Sequence, residues 1–228
     1  MTHILDRPAW NALTTTHAWL AEGSSLAKRY PSSIVPFAAM QENTPECLDA
    51  LASLATASDS LALVEAAPIT TPPAFDILID AMLLQLVAEN PFEQVSDPRI
   101  HPLGEDDAAD MLALATLTKP GPFTLGAQKL GKFWGIRIDG QLVAMGGQRM
   151  RQPGFAELSG LCTHPDFQGK GLGKTMLRYV AGEISAGGET VYLHAYSNNK
   201  AAISLYQRMG FSPRRELHFR VIKRAEQA

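Results

Sequence analysis

HPDFQGKGLGKT, residues 164–175, sets three glycines and two lysines in a turn ahead of a helical pattern. Its last eight residues come within one position of the nucleotide-binding pattern G-x-x-x-x-G-K-[ST], with Gln168 where the first glycine belongs. A P-loop, however, starts at the end of a strand and is followed by a strand that ends in a magnesium-holding aspartate. HPDFQ intervenes before this loop, and TVYLHAY (190–196), the next β-rich run, offers no aspartate. A dinucleotide fingerprint fails on spacing, because Lys174 stands where its third glycine is needed. Two readings survive. One is a plain strand–turn–helix whose glycines allow a tight entry. The other is a helix whose first turn, GKGLGK, presents unobstructed N–H groups at its positive end, suited to a pyrophosphate without any metal.

Working outward, FAELSGLCT (155–163) is predicted as the strand before this turn. After it, Leu172, Met176, Leu177, Val180, Ala181 and Ile184 repeat at helical spacing to about Ala186. TVYLHAY is the next strand. NNKAAISLYQRMG (198–210) is a helix with asparagine at its cap and Gly210 as its stop, and ELHFRVIKR (216–224) closes as a strand. Upstream, FWGIRIDGQLVAMGGQRM reads as a hairpin turned at Asp139-Gly140, and EDDAADMLALATLT as a helix with acids in its first turn. The order defines an α/β protein with a mixed sheet. Nearer the N-terminus, IVPFAAM (34–40) and SLALVEA (60–66) are predicted strands around a helix over 45–55. TPPAFDILIDAMLLQLVAE has the spacing of a helix from about Phe75 to Glu89. The proline-bearing stretch 90–104 marks a boundary, giving an N-terminal α/β segment (1–92) and a second domain (93–228).

Composition narrows the function classes. With 228 residues, 46% hydrophobic and 19% charged, the chain can bury a core and is not a disordered polypeptide. A net charge of −3 argues against a nucleic-acid partner, although Arg149, Arg151, Lys170 and Lys174 fall in one region of sequence and allow a local basic patch. Cys47 and Cys162 form neither a disulfide framework nor a metal cluster, and read as reduced, small apolar side chains. The most apolar run, 77–89, is short and interrupted by Asp80 and Gln85, so no membrane span is expected. No export signal is evident at the N-terminus, so the cytoplasm is the expected location.

The stretch LCTHPDFQGKGLGKTML followed by YSNNKAAISLYQRMGF resembles the GNAT superfamily of CoA-dependent N-acetyltransferases. The family's pyrophosphate loop, [QR]-x-x-G-x-[GA], is matched by Gln168, Gly171 and Gly173. Its later helix, N-x-x-[AS]-x-x-[LF]-Y-x-x-x-G-F, is matched by Asn199, Ala202, Leu205, Tyr206, Gly210 and Phe211. The resemblance covers roughly 95–228. It implies a mixed, mostly antiparallel sheet flanked by helices, with the N-terminal segment as a smaller, degenerate half-domain. It also implies acetyl-CoA as co-substrate, an amine as acceptor, no metal, and a homodimer as one arrangement open to the chain.

The same resemblance assigns roles residue by residue. Pyrophosphate would lie on the amides of Gly169, Lys170, Gly171, Leu172, Gly173 and Lys174, after Gln168. Pantetheine would pair like an extra strand with Leu161, Cys162 and Thr163, and Asn199 would contact the CoA arm. An alkyl amine is mostly protonated at neutral pH, so a base assists. Glu157, placed by alternation on one face with Ser159 and Leu161, and His194 match the positions where GNAT enzymes keep one. Tyr206 matches the tyrosine that protonates the departing thiolate. Cys162 has no His–acid pair beside it in sequence, and direct transfer needs no nucleophile. A module that binds acyl-CoA without turnover is the alternative function, and a P-loop NTPase the third.

Overall fold

The computed structural model describes residues 3–56 and 58–225. After a short 3-10 turn (Ile4–Asp6), helix α1 (Pro8–Thr14) is followed by a small three-stranded sheet of β1 (Glu22–Gly23), β2 (Ala27–Arg29) and β3 (Ala38–Met40). Next come α2 (Pro45–Leu54), β4 (Ser60–Glu65), β5 (Phe75–Ala88), β6 (Ile100–Leu103), α3 (Ala108–Thr118), β7 (Phe133–Ile138), β8 (Gln141–Gln152) and β9 (Phe155–Thr163). The chain ends on α4 (Leu172–Ala186), β10 (Thr190–Tyr196), α5 (Lys200–Arg208) and β11 (Phe211–Arg224).

Strands β4 to β11 form one sheet in the order β4-β11-β5-β10-β9-β8-β7-β6. Every pairing in it is antiparallel except β9 with β10. The mixed α/β class read from the sequence is therefore the observed one. The β7–β8 hairpin turns at Asp139 and Gly140, with φ of 50° and 81°, as a type I′ turn requires. Helix α4 lays Leu172, Met176, Leu177, Val180, Ala181 and Ile184 onto one face of the sheet, against Leu158, Val191 and Leu193. On the opposite face α1 and the segment around Tyr30 and Phe37 pack on Met150, Leu217 and Phe219.

Two expectations are corrected. Residues 75–88, expected as a helix, are a 14-residue strand. The run is nearly continuous in apolar residues, and periodicity cannot separate a buried helix from a central strand in such a run. Hydrogen bonding to β11 along its whole length and to β10 over Leu83–Val87 decides it. As a consequence, the boundary expected between 92 and 93 falls inside one sheet. β4 and β5 precede it, and β11, which follows it, lies between them.

His17 is 3% exposed, with Nδ1 2.9 Å from the Tyr30 hydroxyl. Burial, reinforced by the charge of Arg151, lowers its pKa from 6.5 to about 4. The folded protein thus refuses a proton that the unfolded chain accepts. The resulting contribution is complete above about pH 6.5 and is lost as pH falls towards 4, amounting to about 3 kcal/mol. In urea unfolding at pH 7 and pH 4.5, His17→Gln is expected to lose less stability across the interval than the wild type. Equal losses would contradict this origin.

Candidate active site

The parallel pair β9–β10 is hydrogen-bonded only over Thr190↔Phe155, Val191↔Ala156 and Tyr192↔Glu157. Beyond Glu157 the two strands part, β9 running on to Thr163 and β10 to Tyr196. β8 still holds the other edge of β9 through Ala144↔Thr163 and Met145↔Cys162, so the edge facing β10 is unpaired from Leu158 onward. A cleft of about 340 Å³ opens there, lined by Leu161, His194, Ala195, Asn199, Ala202 and Tyr206 among others. Gly160, at φ 64°, carries a bulge that takes Leu161 off the face expected for it. Leu161 packs towards α4, whereas Glu157 faces Arg149, on the side of the sheet where Tyr30 and Phe37 pack. The Cys162 side chain turns to Met111, Leu114 and Ala115, and burial lifts its thiol to about 11, which rules out a thiolate nucleophile at neutral pH.

From the end of β9 the chain enters the glycine turn. Gly169 and Gly171 have φ of 76° and 80°, and a Cβ on either would meet nothing within 4 Å. These glycines serve backbone conformation rather than close packing. Helix α4 begins at Gly171 with no side-chain cap and no acid in its first turn, so its leading amides point out of the N-terminus unopposed. Gly173 lies against the strand end, where a Cβ would come 3.4 Å from Thr163 Oγ1. The Gln168 amide reaches back to the Thr163 carbonyl at 3.4 Å, and the Lys170 ammonium lies 4.7 Å from the centre of the Phe167 ring. Strand edge and glycine turn are thereby continuous with one another.

Glu157 sits where the strands part and is completely buried. A second bulge lies opposite it: Gln148 pairs with Leu158 and Arg151 with Ala156, so Arg149 and Met150 together face Glu157. Arg149 donates from Nε and Nη2 to its two carboxylate oxygens at 2.8 and 2.6 Å, and the Met150 amide donates at 3.3 Å. His194 Nδ1 is 2.7 Å from Oε1. Although burial opposes ionisation, the Arg149 guanidinium and then His194 bring the carboxyl to about 2, so it is a carboxylate at every working pH.

His194 Nε2 lies 3.0 Å from Nε2 of Gln85, its cross-strand partner on β5. The Gln85 amide is oriented by Arg214 Nε, which donates to its Oε1 at 2.5 Å, and by its own donation to the Leu5 carbonyl at 3.0 Å. Nε2 of the histidine therefore accepts, and Nδ1 carries the proton donated to Glu157. Arg214 continues to Asp6, which also binds the His3 amide and lies 3.3 Å from Arg215.

Tyr206, on α5, faces the cleft from the other strand's side, and burial raises its phenol above the ordinary value. Asn199 lines the same cleft while its Oδ1 caps α5, accepting from the Ala202 amide at 3.1 Å. The structure thus brings Glu157 and His194 into contact and sets His194, Tyr206, Asn199 and Leu161 around one cavity. The sequence patch of four basic residues dissolves, since Arg149 is bound to Glu157 and Arg151 to Glu189 at 3.0 Å. Sequence reasoning missed Arg149 as the partner of Glu157 because a bulge, not simple alternation, aims it. Gln85 was missed because its segment was read as a helix.

A parallel pair parted beside an uncapped, glycine-led helix is the arrangement that the resemblance to CoA-dependent acetyltransferases implies. A sequence profile described as the Acetyltransferase (GNAT) family matches residues 102–211. A crystal structure assigned to the GNAT family, from Novosphingobium aromaticivorans, is 40% identical, with 99% of this chain and 100% of that chain aligned at a TM-score of 0.92. The chain belongs to the GNAT family. A GCN5-related N-acetyltransferase from Kribbella flavida shares the fold at 16% identity, TM-score 0.63, covering 96% of this chain and 95% of that one. Among curated relatives, the [ribosomal protein bS18]-alanine N-acetyltransferase of Salmonella typhimurium is 38% identical over 58 residues, 25% of this chain and 39% of that protein. The N-acetyltransferase YobR of Bacillus subtilis is 35% identical over 69 residues, 30% of this chain and 28% of that protein. The chain therefore spans well under half the length of these curated relatives.

Removing Arg149 leaves the buried carboxylate without its main counter-charge. Arg149→Met is expected to cost roughly 3–5 kcal/mol in urea unfolding, and Arg149→Met combined with Glu157→Leu less than the single change. A loss under about 1 kcal/mol for the single variant would show that the pair is not what holds this corner of the sheet.

Proposed function

We propose that the protein transfers an acyl group from acyl-CoA, acetyl-CoA in the first instance, to a primary amine by direct attack in the cleft between β9 and β10. The observation that carries this reading is the continuity between an uncapped glycine turn and an unpaired strand edge that leads to Glu157 and His194. The amides of Gly169 to Lys174 suit a pyrophosphate, and the free edge of Leu161, Cys162 and Thr163 suits a pantetheine arm paired as an extra strand. Gln168 and Asn199 flank the two ends of that path.

The amine nitrogen attacks the thioester carbonyl carbon. A C–N bond forms, the C–S bond breaks, one proton leaves the nitrogen and one joins the thiolate. Tyr206 is the proposed donor to sulfur, its proton firmly held until thiolate develops beside it. His194 with Glu157 is the proposed acceptor of the amine proton. Glu157, saturated by Arg149 and Met150, acts through the imidazole, which it orients by the Nδ1 bond. The proton enters at Nε2, and Gln85 must yield that position. No metal takes part in this scheme. A cytoplasmic location belongs to the proposal as well.

One observation favours a second reading, an acyl-CoA-binding module without turnover: both nitrogens of His194 and both oxygens of Glu157 are already engaged. Release of free CoA thiol from acetyl-CoA with a panel of amines separates the two, and tight binding with no release would sink the enzyme. With an accepted amine, His194→Ala and Tyr206→Phe are each expected to lower kcat at saturating acetyl-CoA by at least about tenfold. Unchanged rates in both would overturn the proton-transfer roles. Gly171→Val, forced to φ 80°, is expected instead to raise KM for acetyl-CoA at least about tenfold.

Because the Glu157 carboxyl is held near 2, it contributes no limb to the pH profile of kcat between about pH 4 and 8. A limb near pH 4.5 that vanishes in Glu157→Gln would contradict the pairing.

A further inference from the structure

The acceptor side of the cleft has an unusual charge balance. The residues lining it include two cations, Lys119 and Arg149, and neither an aspartate nor a glutamate. Glu157 lies behind Arg149 rather than in the lining, and its oxygens are taken up by Nε and Nη2 of that guanidinium and by His194. The third nitrogen, Nη1, has no acceptor among the described residues. It points to the 118–122 loop, where a Cβ on Gly121 would lie 3.7 Å from it. The guanidinium lies against the Phe37 ring, 4.8 Å from its centre, which fixes its plane. Its side chain is 12% exposed, so the free N–H groups have few competing waters.

A guanidinium with one face spent on an internal carboxylate and the other directed into a cleft is a preformed donor for an anionic oxygen. The wall also offers an apolar portion from Phe37, Leu83, Pro120, Pro122, Tyr196 and Phe219, beside the polar Thr118, His194 and Asn199. A polycationic acceptor would meet Lys119 and a guanidinium already paired with Glu157, and no carboxylate in the lining to hold a second cationic group, which disfavours it.

We propose that the acceptor is a small primary amine that also carries a free carboxylate, an amino acid with an apolar body. Arg149 Nη1 holds the carboxylate, Lys119 adds long-range attraction, and the aromatic and proline wall takes the body. The amine is left facing the thioester between His194 and Tyr206. Arg149 is thus both the structural partner of Glu157 and the specificity-determining residue for the acceptor. This rests on the acyl-transfer reading above.

Because Arg149 variants unbalance the buried carboxylate, the test varies the acceptor. Thiol release from acetyl-CoA by the protein is measured with leucine, methionine and phenylalanine, with their carboxamides, and with spermidine. The free acids are expected to show kcat/KM at least tenfold above the amides, with spermidine at background. At neutral pH the amides hold more uncharged amine than the acids, so such a preference cannot come from amine basicity. Amides or spermidine turned over as well as or better than the acids would overturn the carboxylate site while leaving the transferase standing. Acetyl-CoA bound in calorimetry but no release with any amine would overturn the transferase, and this inference with it.

Discussion

One buried charge organises this molecule. Glu157 lies inside a sheet, where an isolated carboxylate is prohibitively costly, and it is stabilised by a bidentate guanidinium, a backbone amide and an imidazole. Each partner is brought by a different structural device. A bulge in β8 turns Arg149 and Met150 towards it, and the end of the β9–β10 ladder lets His194 lean across. The β9–β10 ladder ends at the Tyr192↔Glu157 pair, and the cleft opens where the strands part beyond it.

The charge also explains why the N-terminal segment belongs to the same body. From His194 the hydrogen bonds run through Gln85 and Arg214 to Asp6 and the backbone of Leu5 and His3. The first turn of the described chain is thereby tied to the floor of the cleft. Phe37 and the 118–122 loop line the cleft on either side of Arg149.

Much of this was legible in the sequence. The glycine turn, the strand before it, the capped helix bearing Tyr206 and the Asp139-Gly140 hairpin all follow from local signals, because helix entry, caps and tight turns are set by a few neighbouring residues. What stayed hidden depends on long-range register. FDILIDAMLLQLVA carries no alternation that would separate strand from helix, and only its insertion between β10 and β11 settles the matter. With that segment misread, Gln85 could not be placed beside His194. Alternation likewise put Leu161 on the face of Glu157, and the Gly160 bulge removes it. Arg149 stood in the sequence as one of four loosely clustered cations, and only an unpaired extra residue in β8 makes it the partner of a carboxylate eight positions away.

The central claim is that a single path joins the glycine turn, the free edge of β9 and the Glu157–His194 contact. A crystal structure of the protein with CoA tests it most directly. The expected result is pyrophosphate on the amides of Gly169 to Lys174, pantetheine along Leu161 to Thr163, and the sulfur within reach of the Tyr206 hydroxyl. CoA seated elsewhere, or a cleft left empty at saturating CoA, would contradict the account.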